Sequence, residues 1–368
     1  MHDRISRAQS ELQRLGLDAL FVGPSADLRW LVGYHALPLE RLTLLVVPAT
    51  DAPTLVVPAL EAPRARASGA ADLATIAEWG ETDDPFDPVL AALGSASAQP
   101  TFVAQDQLWS SFLLSLQERL GGRWLPGSVI TRPLRAVKEP AEIAALIAAG
   151  AAIDAVHARV PEFLRVGRTE AEVGRDIEAA ILEGHDHVEF VIVASGPNGA
   201  SPHHETSDRV LRQGDAVVVD IGGLKHGYAS DSTRTYNIGT PDPEYAQWHV
   251  VLERSQAAGV AAARPGARAM DVDRAARQVM QDAGLGEFFI HRTGHGIGVD
   301  VHEHPYIVEG NDEVLVAGMA FSVEPGFYVP DRFGARIEDI VIVSDEGAQR
   351  CNNRPHALTL VDGAGSLA

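Results

Sequence analysis

Apolar positions along the chain recur at two spacings, and the switches between them mark out its elements. Ile5, Leu12 and Leu15 fall at helical intervals, and Gly16 follows where a C-cap belongs, which predicts an opening helix. Short apolar runs at 19–22, 42–47 and 55–57 predict strands, the last two closed by Pro48 and Pro58. Residues 107–120 predict a further helix that stops at Gly121-Gly122. This mixture predicts a small α/β domain in the first third of the chain. Pro133 and Pro140 make 126–140 the best boundary region, and the predicted domains are 1–132 and 133–368.

Beyond the boundary, Ile143, Leu146, Gly150, Ile153, Val156 and Val160 mark one face of a long helix. Thr169 and Glu172 have the spacing of a capping box, so a second helix starts there with Val173, Ile177 and Ile181 on its apolar face. Further helices are predicted near 244–263 and 271–283, with β-rich stretches between them. No repeat at solenoid spacing and no low-complexity tract interrupts this order.

Composition narrows the class. A chain of 368 residues exceeds one ordinary core, and 46% hydrophobic with 22% charged residues is a globular balance. Thirty basic against fifty acidic residues leave a formal charge of −20, which argues against nucleic acid or an anionic membrane as partner. The single cysteine, Cys351, excludes an internal disulfide and a multi-cysteine metal site, and fits a reducing compartment. The opening residues lack the apolar stretch of a signal peptide, and no apolar run approaches the roughly eighteen residues of a bilayer span. The cytoplasm is the expected location.

The candidate chemistry is acidic. Two strand-like runs in 215–237 flank a turn at 224–227, which predicts a hairpin. A turn centred between Lys225 and His226 sets Asp220 directly opposite Asp231, with Cβ atoms about 4.5–5.5 Å apart. Carboxylates that close repel unless a cation or a proton lies between them. A lone aspartate near a turn commonly faces solvent or caps the turn. Asp220, however, ends the apolar run 217–219, where an unpaired charge is costly.

The stretch 319–343 repeats the design, with a turn at 330–334 that brings Glu324 and Glu338 roughly opposite. Between the two hairpins stand Gly294-His295-Gly296-Ile297-Gly298 and Val301-His302-Glu303-His304. Glycines around His295 allow close approach, although a histidine in such a loop can equally be a hydrogen-bonded loop residue. Four carboxylates and one histidine suit manganese, cobalt or zinc rather than a thiolate zinc site. More carboxylates than one cation needs point to two metals about 3.5–4 Å apart.

Six ordered stretches carry a family resemblance: A-S-G-P-N-G-A-S-P-H-H (194–204), V-V-D-I-G (218–222), G-Y-A-S-D-S-T-R-T (227–235), H-R-T-G-H-G-I-G-V-D-V-H-E-H-P (291–305), V-E-P-G-F-Y (323–328) and G-A-R-I-E-D (334–339). Together they resemble the Xaa-Pro peptidases, prolidase and aminopeptidase P, relatives of methionine aminopeptidase. The resemblance covers about 133–350, with a looser match before it. It implies an α+β fold: a pita-bread catalytic domain of two pseudo-symmetric αβ halves, preceded by a smaller α/β creatinase/prolidase-type domain. It implies two divalent metals, manganese first and cobalt or zinc next, on Asp220, Asp231, His295, Glu324 and Glu338. His203 takes the position that bonds the scissile nitrogen, His302 the one that steadies the substrate carbonyl, and Glu324 that of the base. His291, Tyr328 and Arg336 fall where relatives line the proline side; Tyr328 could equally be core, and Arg336 an ion-pair partner of Glu338. His204, Glu303 and His304 read as neighbours or supporting residues, and Ser201 departs from the apolar residue that many relatives carry before Pro-His.

The implied activity is hydrolysis of the bond before proline in small peptides, by a homodimer. A non-catalytic pita-bread binding module generally lacks metal ligands, and a creatinase-like amidinohydrolase uses no metal. Methionine aminopeptidase usually lacks a large first domain. Prolidase acting on dipeptides and aminopeptidase P acting on longer peptides both stay open, and the chain length and the S-G-P-N motif favour the dipeptidase.

Overall fold

The computed structural model describes residues 2–94 and 97–367. The chain forms two compact units, Met1–Arg135 and Ala136–Ala368. The expected break at 132/133 falls inside the helix Ser128–Ala136.

The first unit is built on a six-stranded mixed sheet in the order Thr75–Trp79, Thr54–Pro58, Leu44–Pro48, Ala19–Val22, Thr101–Ala104, Arg123–Pro126. The three middle strands pair antiparallel and the outer ones add in parallel. Helix His2–Leu15 stops at Gly16, whose φ of 67° suits glycine. The helix expected from 107 begins only at Ser110, because Trp109 holds an extended backbone before it. The two edge strands, T-I-A-E-W and R-W-L-P, show no clean alternation, which is why apolar pattern alone misses them.

The second unit has two αβ halves. In the first, helices Pro140–Phe163 and Glu170–Leu182 cover a sheet in the order Thr359–Val361, Ser232–Ile238, Ala216–Lys225, His187–Ser195. Ile153, Val156, Val160, Ile177 and Ile181 pack on Val217, Val219 and Ile221 of the sheet. Glu139 with Glu142, and Thr169 with Glu172, form reciprocal capping boxes that fix where the two helices begin. Pro140–Phe163 is long and apolar enough by composition to cross a bilayer. Its apolar stripe is nevertheless buried on the sheet, and His157 in the same helix bonds Tyr236 and Ser232.

In the second half, helices Pro243–Ala262 and Ala269–Asp282 cover a sheet in the order Glu303–Ile307, Gly294–Gly296, Ala320–Val323, Asp339–Ser344, Gly347–Arg350. Val272 of the second helix packs with Phe321, Val323, Val341 and Val343 of that sheet. The short hairpin Gly326–Val329 with Phe333–Arg336 extends the same pair of strands. Both sheets thus turn one face to helices and leave the other for the site.

Gly150 lets the first helix touch the chain near Cys351: a Cβ there would lie 2.6 Å from the Cys351 carbonyl oxygen. On an exposed helix, Gly→Ala stabilises by up to about 1 kcal/mol. Here Gly150→Ala is expected to destabilise, by about 1–3 kcal/mol, because the helix must move off that carbonyl. Urea unfolding measures the sign, and a stabilised variant would show that the close contact is not made.

Candidate metal centre

Strand alternation aims the acidic residues. Val217, Val219 and Ile221 point to the helices, so Asp220 points to the opposite face. The expected pairing of Asp220 with Asp231 is corrected by the register. Asp220 pairs with Thr233, and Lys225 pairs with Tyr228. The two-residue turn is His226-Gly227, with φ of 52° and 81°, one step later than the sequence reading centred it. The shift moves the pairing by two residues, an even number, so Asp231 stays on the Asp220 face as its diagonal neighbour. In the other half, Val323 pairs with Asp339 and Gly326 with Arg336, a continuous register that sets Glu324 opposite Glu338.

The carboxylates converge. Possible ligand atoms of Asp220, Asp231 and Glu338 all lie within 4.8 Å of one another, and so do those of His295, Glu324 and Glu338. Asp220 Oδ1, Asp231 Oδ1 and Glu338 Oε1 are buried with no hydrogen-bond partner. The other oxygens have donors: Arg336 on Asp220 Oδ2 at 2.5 Å, Thr233 Oγ1 on Glu338 Oε2 at 2.7 Å, and Ser322 Oγ on Glu324 Oε1 at 3.2 Å. His295 Nδ1 donates to the Gly296 carbonyl at 3.1 Å. That bond leaves the Nε2 lone pair 3.4 Å from Glu324 Oε1 and 3.5 Å from Asp231 Oδ2. Lone pairs facing one another at these distances, beside orphaned buried oxygens, fit divalent cations between them.

Charge says the same. Burial, then the neighbouring carboxylates, push the Asp231 and Glu338 carboxyls well above the usual range. Burial pushes Glu324 up to about 7, opposed by the Arg336 guanidinium. Burial and the nearby His302 hold His295 down at about 3, so its imidazole is neutral and free to ligate. If all four carboxylates are ionised, they exceed the Arg336 guanidinium by three negative charges, more than one divalent cation neutralises.

The cluster lies at the bottom of a cavity of about 600 Å³, walled in part by Phe190, Ile192, His203, Arg292 and His302. His203 and His302 are exposed in it. The His302 ring sits 4.1 Å from that of His295, centroid to centroid and nearly perpendicular. A nitrogen of His302 also lies within 4.8 Å of ligand atoms of Asp231 and His295.

The three proline-side candidates form one relay. Arg336 donates to Tyr328 Oη at 2.8 Å, Tyr328 Oη bonds His291 Nε2 at 2.9 Å, and His291 Nδ1 donates to the Arg292 carbonyl at 2.7 Å. His291 and Arg336 line the cavity, whereas Tyr328 is buried behind them and is not part of its wall. Arg336 pairs with Asp220, not with Glu338. His204 turns away from the cavity to Glu170 at 2.9 Å, and Glu303 forms a buried ion pair with Lys138 at 2.7 Å.

Several further neighbours complete the site. Thr233 stands two residues after Asp231, and alternation alone places it on the same face. Arg292 lies inside the quoted H-R-T-G-H stretch and stacks over Tyr306 at 4.3 Å. Phe190 and Ile192 carry no signal beyond β propensity, and only the folded sheet reveals them.

Residues 144–345 match Metallopeptidase family M24, and residues 4–137 match the Creatinase/Prolidase N-terminal domain. The chain is 54% identical over 361 residues to the "Probable dipeptidase PepE" of Mycobacterium tuberculosis, covering 97% of this chain and 96% of that one. It is 33% identical to the Xaa-Pro dipeptidase of Lactobacillus helveticus, covering 93% and 95%. The crystal structure of dipeptidase PepE from Mycobacterium ulcerans superposes with a TM-score of 0.93 at 54% identity, covering 98% and 97%. With its convergent acidic cluster and its two matched domains, the chain belongs to metallopeptidase family M24 and is a metal-dependent peptidase that carries a Creatinase/Prolidase N-terminal domain.

Proposed function

We propose that this enzyme is an Xaa-Pro dipeptidase that hydrolyses the bond before proline, with two divalent cations on Asp220, Asp231, His295, Glu324 and Glu338. The observation that carries the reading is the buried set of orphaned carboxylate oxygens facing the neutral His295, at the floor of a cavity walled by three further histidines. Similarity to proteins named dipeptidase and Xaa-Pro dipeptidase supports a dipeptide over a longer substrate. Manganese is the cation we favour, with cobalt or zinc compatible with the same oxygen-rich donors. The working unit proposed is a cytoplasmic homodimer.

Asp220, Asp231, His295, Glu324 and Glu338 would hold two divalent cations, which would supply a water of lowered pKa and polarise the scissile carbonyl. Glu324 takes the proton of the attacking water and returns it to the leaving nitrogen. His302, exposed beside His295, donates a hydrogen bond to the developing oxyanion. His203 bonds the imide nitrogen as it departs. Arg336 and His291 form the proline-side wall, and Tyr328 fixes their orientation from behind. Proline's nitrogen carries no hydrogen, so a peptidase that relies on that N–H is poorly matched to this bond.

The reading is tested on one Xaa-Pro dipeptide and one Xaa-Pro-Yaa tripeptide. Hydrolysis of the dipeptide is expected to dominate, to vanish on chelation and to return with manganese, cobalt or zinc. Preference for the tripeptide would move the enzyme to the aminopeptidase P activity, and full activity in metal-free protein would remove the cations from the mechanism.

His302→Ala separates oxyanion stabilisation from metal binding. Loss of such a donor is expected to lower kcat about 10²–10³-fold with KM changed only a few-fold, because the interaction strengthens in the transition state. Kinetics at rising metal concentration check it. Recovery of wild-type kcat at high metal would make His302 a support of the cation site instead.

A further inference from the structure

The loop 195–207 carries His203 into the cavity, yet His203 makes no hydrogen bond of its own among the described residues. Its place must be set through its neighbours. One carboxylate dominates them. Glu170, the first residue of helix Glu170–Leu182, is fully buried and faces the other side of this loop. Its Oε1 accepts from Ser195 N at 2.7 Å, Ser195 Oγ at 2.6 Å and Asn198 Nδ2 at 3.0 Å. Its Oε2 accepts from His204 Nε2 at 2.9 Å, Ser207 N at 3.2 Å and Ser207 Oγ at 2.6 Å. The donors come from the start, middle and end of the loop, and one of them, His204, is the residue next to His203.

We propose that Glu170 is a positioning residue for catalysis: it ties 195–207 into one rigid loop and thereby holds His203 at the scissile nitrogen. The proposal rests on the role given to His203 above. Several features fit it. The helix N-terminus on which Glu170 sits favours its negative charge. Burial would raise its carboxyl, but the Ser195 and Ser207 bonds outweigh burial and hold it below the ordinary range, so it stays the charged acceptor that so many donors need. From the cavity side Arg336 donates to the Pro202 carbonyl at 3.4 Å, so the loop is held on both faces. The arrangement also explains the S-G-P-N motif: Ser195 and Asn198 are there as donors to a carboxylate 25 and 28 residues upstream.

The test is a double-mutant cycle at saturating metal with Glu170→Gln, His203→Ala and the pair, read as kcat and KM on an Xaa-Pro dipeptide, with metal content measured in parallel. Glutamine fills the space but puts an N–H₂ where either Ser195 N or Ser207 N must donate, so one of these backbone N–H groups loses its acceptor. Glu170→Gln is expected to lower kcat about 10–10²-fold with metal content unchanged, the scale of a misplaced catalytic group. The double variant is expected to be no slower than His203→Ala, within about 2-fold, since removing His203 leaves Glu170 nothing to position. Losses that multiply, or a wild-type kcat in Glu170→Gln, overturn the proposal. If His203→Ala keeps wild-type kcat, the role of His203 falls first and the positioning role with it; if only Glu170→Gln is silent, His203 stands and Glu170 does not. Should Glu170→Gln fail to fold, Asn198→Ala removes one donor and leaves the carboxylate bonded. A loss of a few-fold that is likewise absent in the His203→Ala background supports the proposal, and an independent or absent effect contradicts it.

Discussion

Four carboxylates that cannot all be charged together lie between the two sheets of the second unit, and the rest of that unit is arranged around their repulsion. Asp220, Asp231, Glu324 and Glu338 are held in place by strands whose other faces are covered by helices, so they cannot retreat into solvent. Among the described residues, Arg336 is the one cation that pairs with them at short range. A fold that keeps such a cluster buried stores electrostatic cost that cations relieve, and that coupling makes the site both a metal centre and a determinant of stability.

The surrounding residues follow from that need. His295 is held neutral with one nitrogen spent on Gly296, so its other lone pair joins the acidic side. Thr233 supplies a hydrogen bond to Glu338 Oε2 and leaves Oε1 bare, and Ser322 bonds Glu324 Oε1. Outside this shell, the Arg336–Tyr328–His291 relay and the Glu170-anchored loop fix the walls from which a substrate is contacted. The chemistry is thus placed by rigid strands, while the exposed histidines, His203 and His302, are supplied by segments braced from behind.

Much of this was legible because strands and helices advertise themselves by period. The capping box at Thr169 gave the helix start to the residue, and alternation after Val217 gave the face of Asp220. The turn was harder. Lys225, His226 and Gly227 offer two adjacent centres, and only the left-handed backbone at His226 and Gly227 chooses between them. Because the resulting slip was an even number of residues, the face survived while the named partner changed from Asp231 to Thr233. Glu170 stayed hidden because its partners lie 25 to 37 residues away in sequence and no local pattern links a helix's first residue to a distant loop. Tyr328 shows the reverse limit: a motif gives a residue's neighbourhood, but its side of the cavity wall is decided by packing.

An acidic cluster that is unfavourable by itself and relieved by cations makes stability depend on pH differently with and without metal. Burial pushes the Glu324 carboxyl up to about 7 from an ordinary 4.5, so the folded state binds that proton more tightly than the unfolded chain. Metal-free protein should therefore lose stability as pH rises from about 4.5 through about 7, while bound metal competes with those protons and removes the loss. The Tm difference between metal-loaded and metal-free protein is expected to be small near pH 5 and to widen towards pH 8. A difference that stays constant across that range, or a metal-free protein as stable as the loaded one at pH 8, would contradict it.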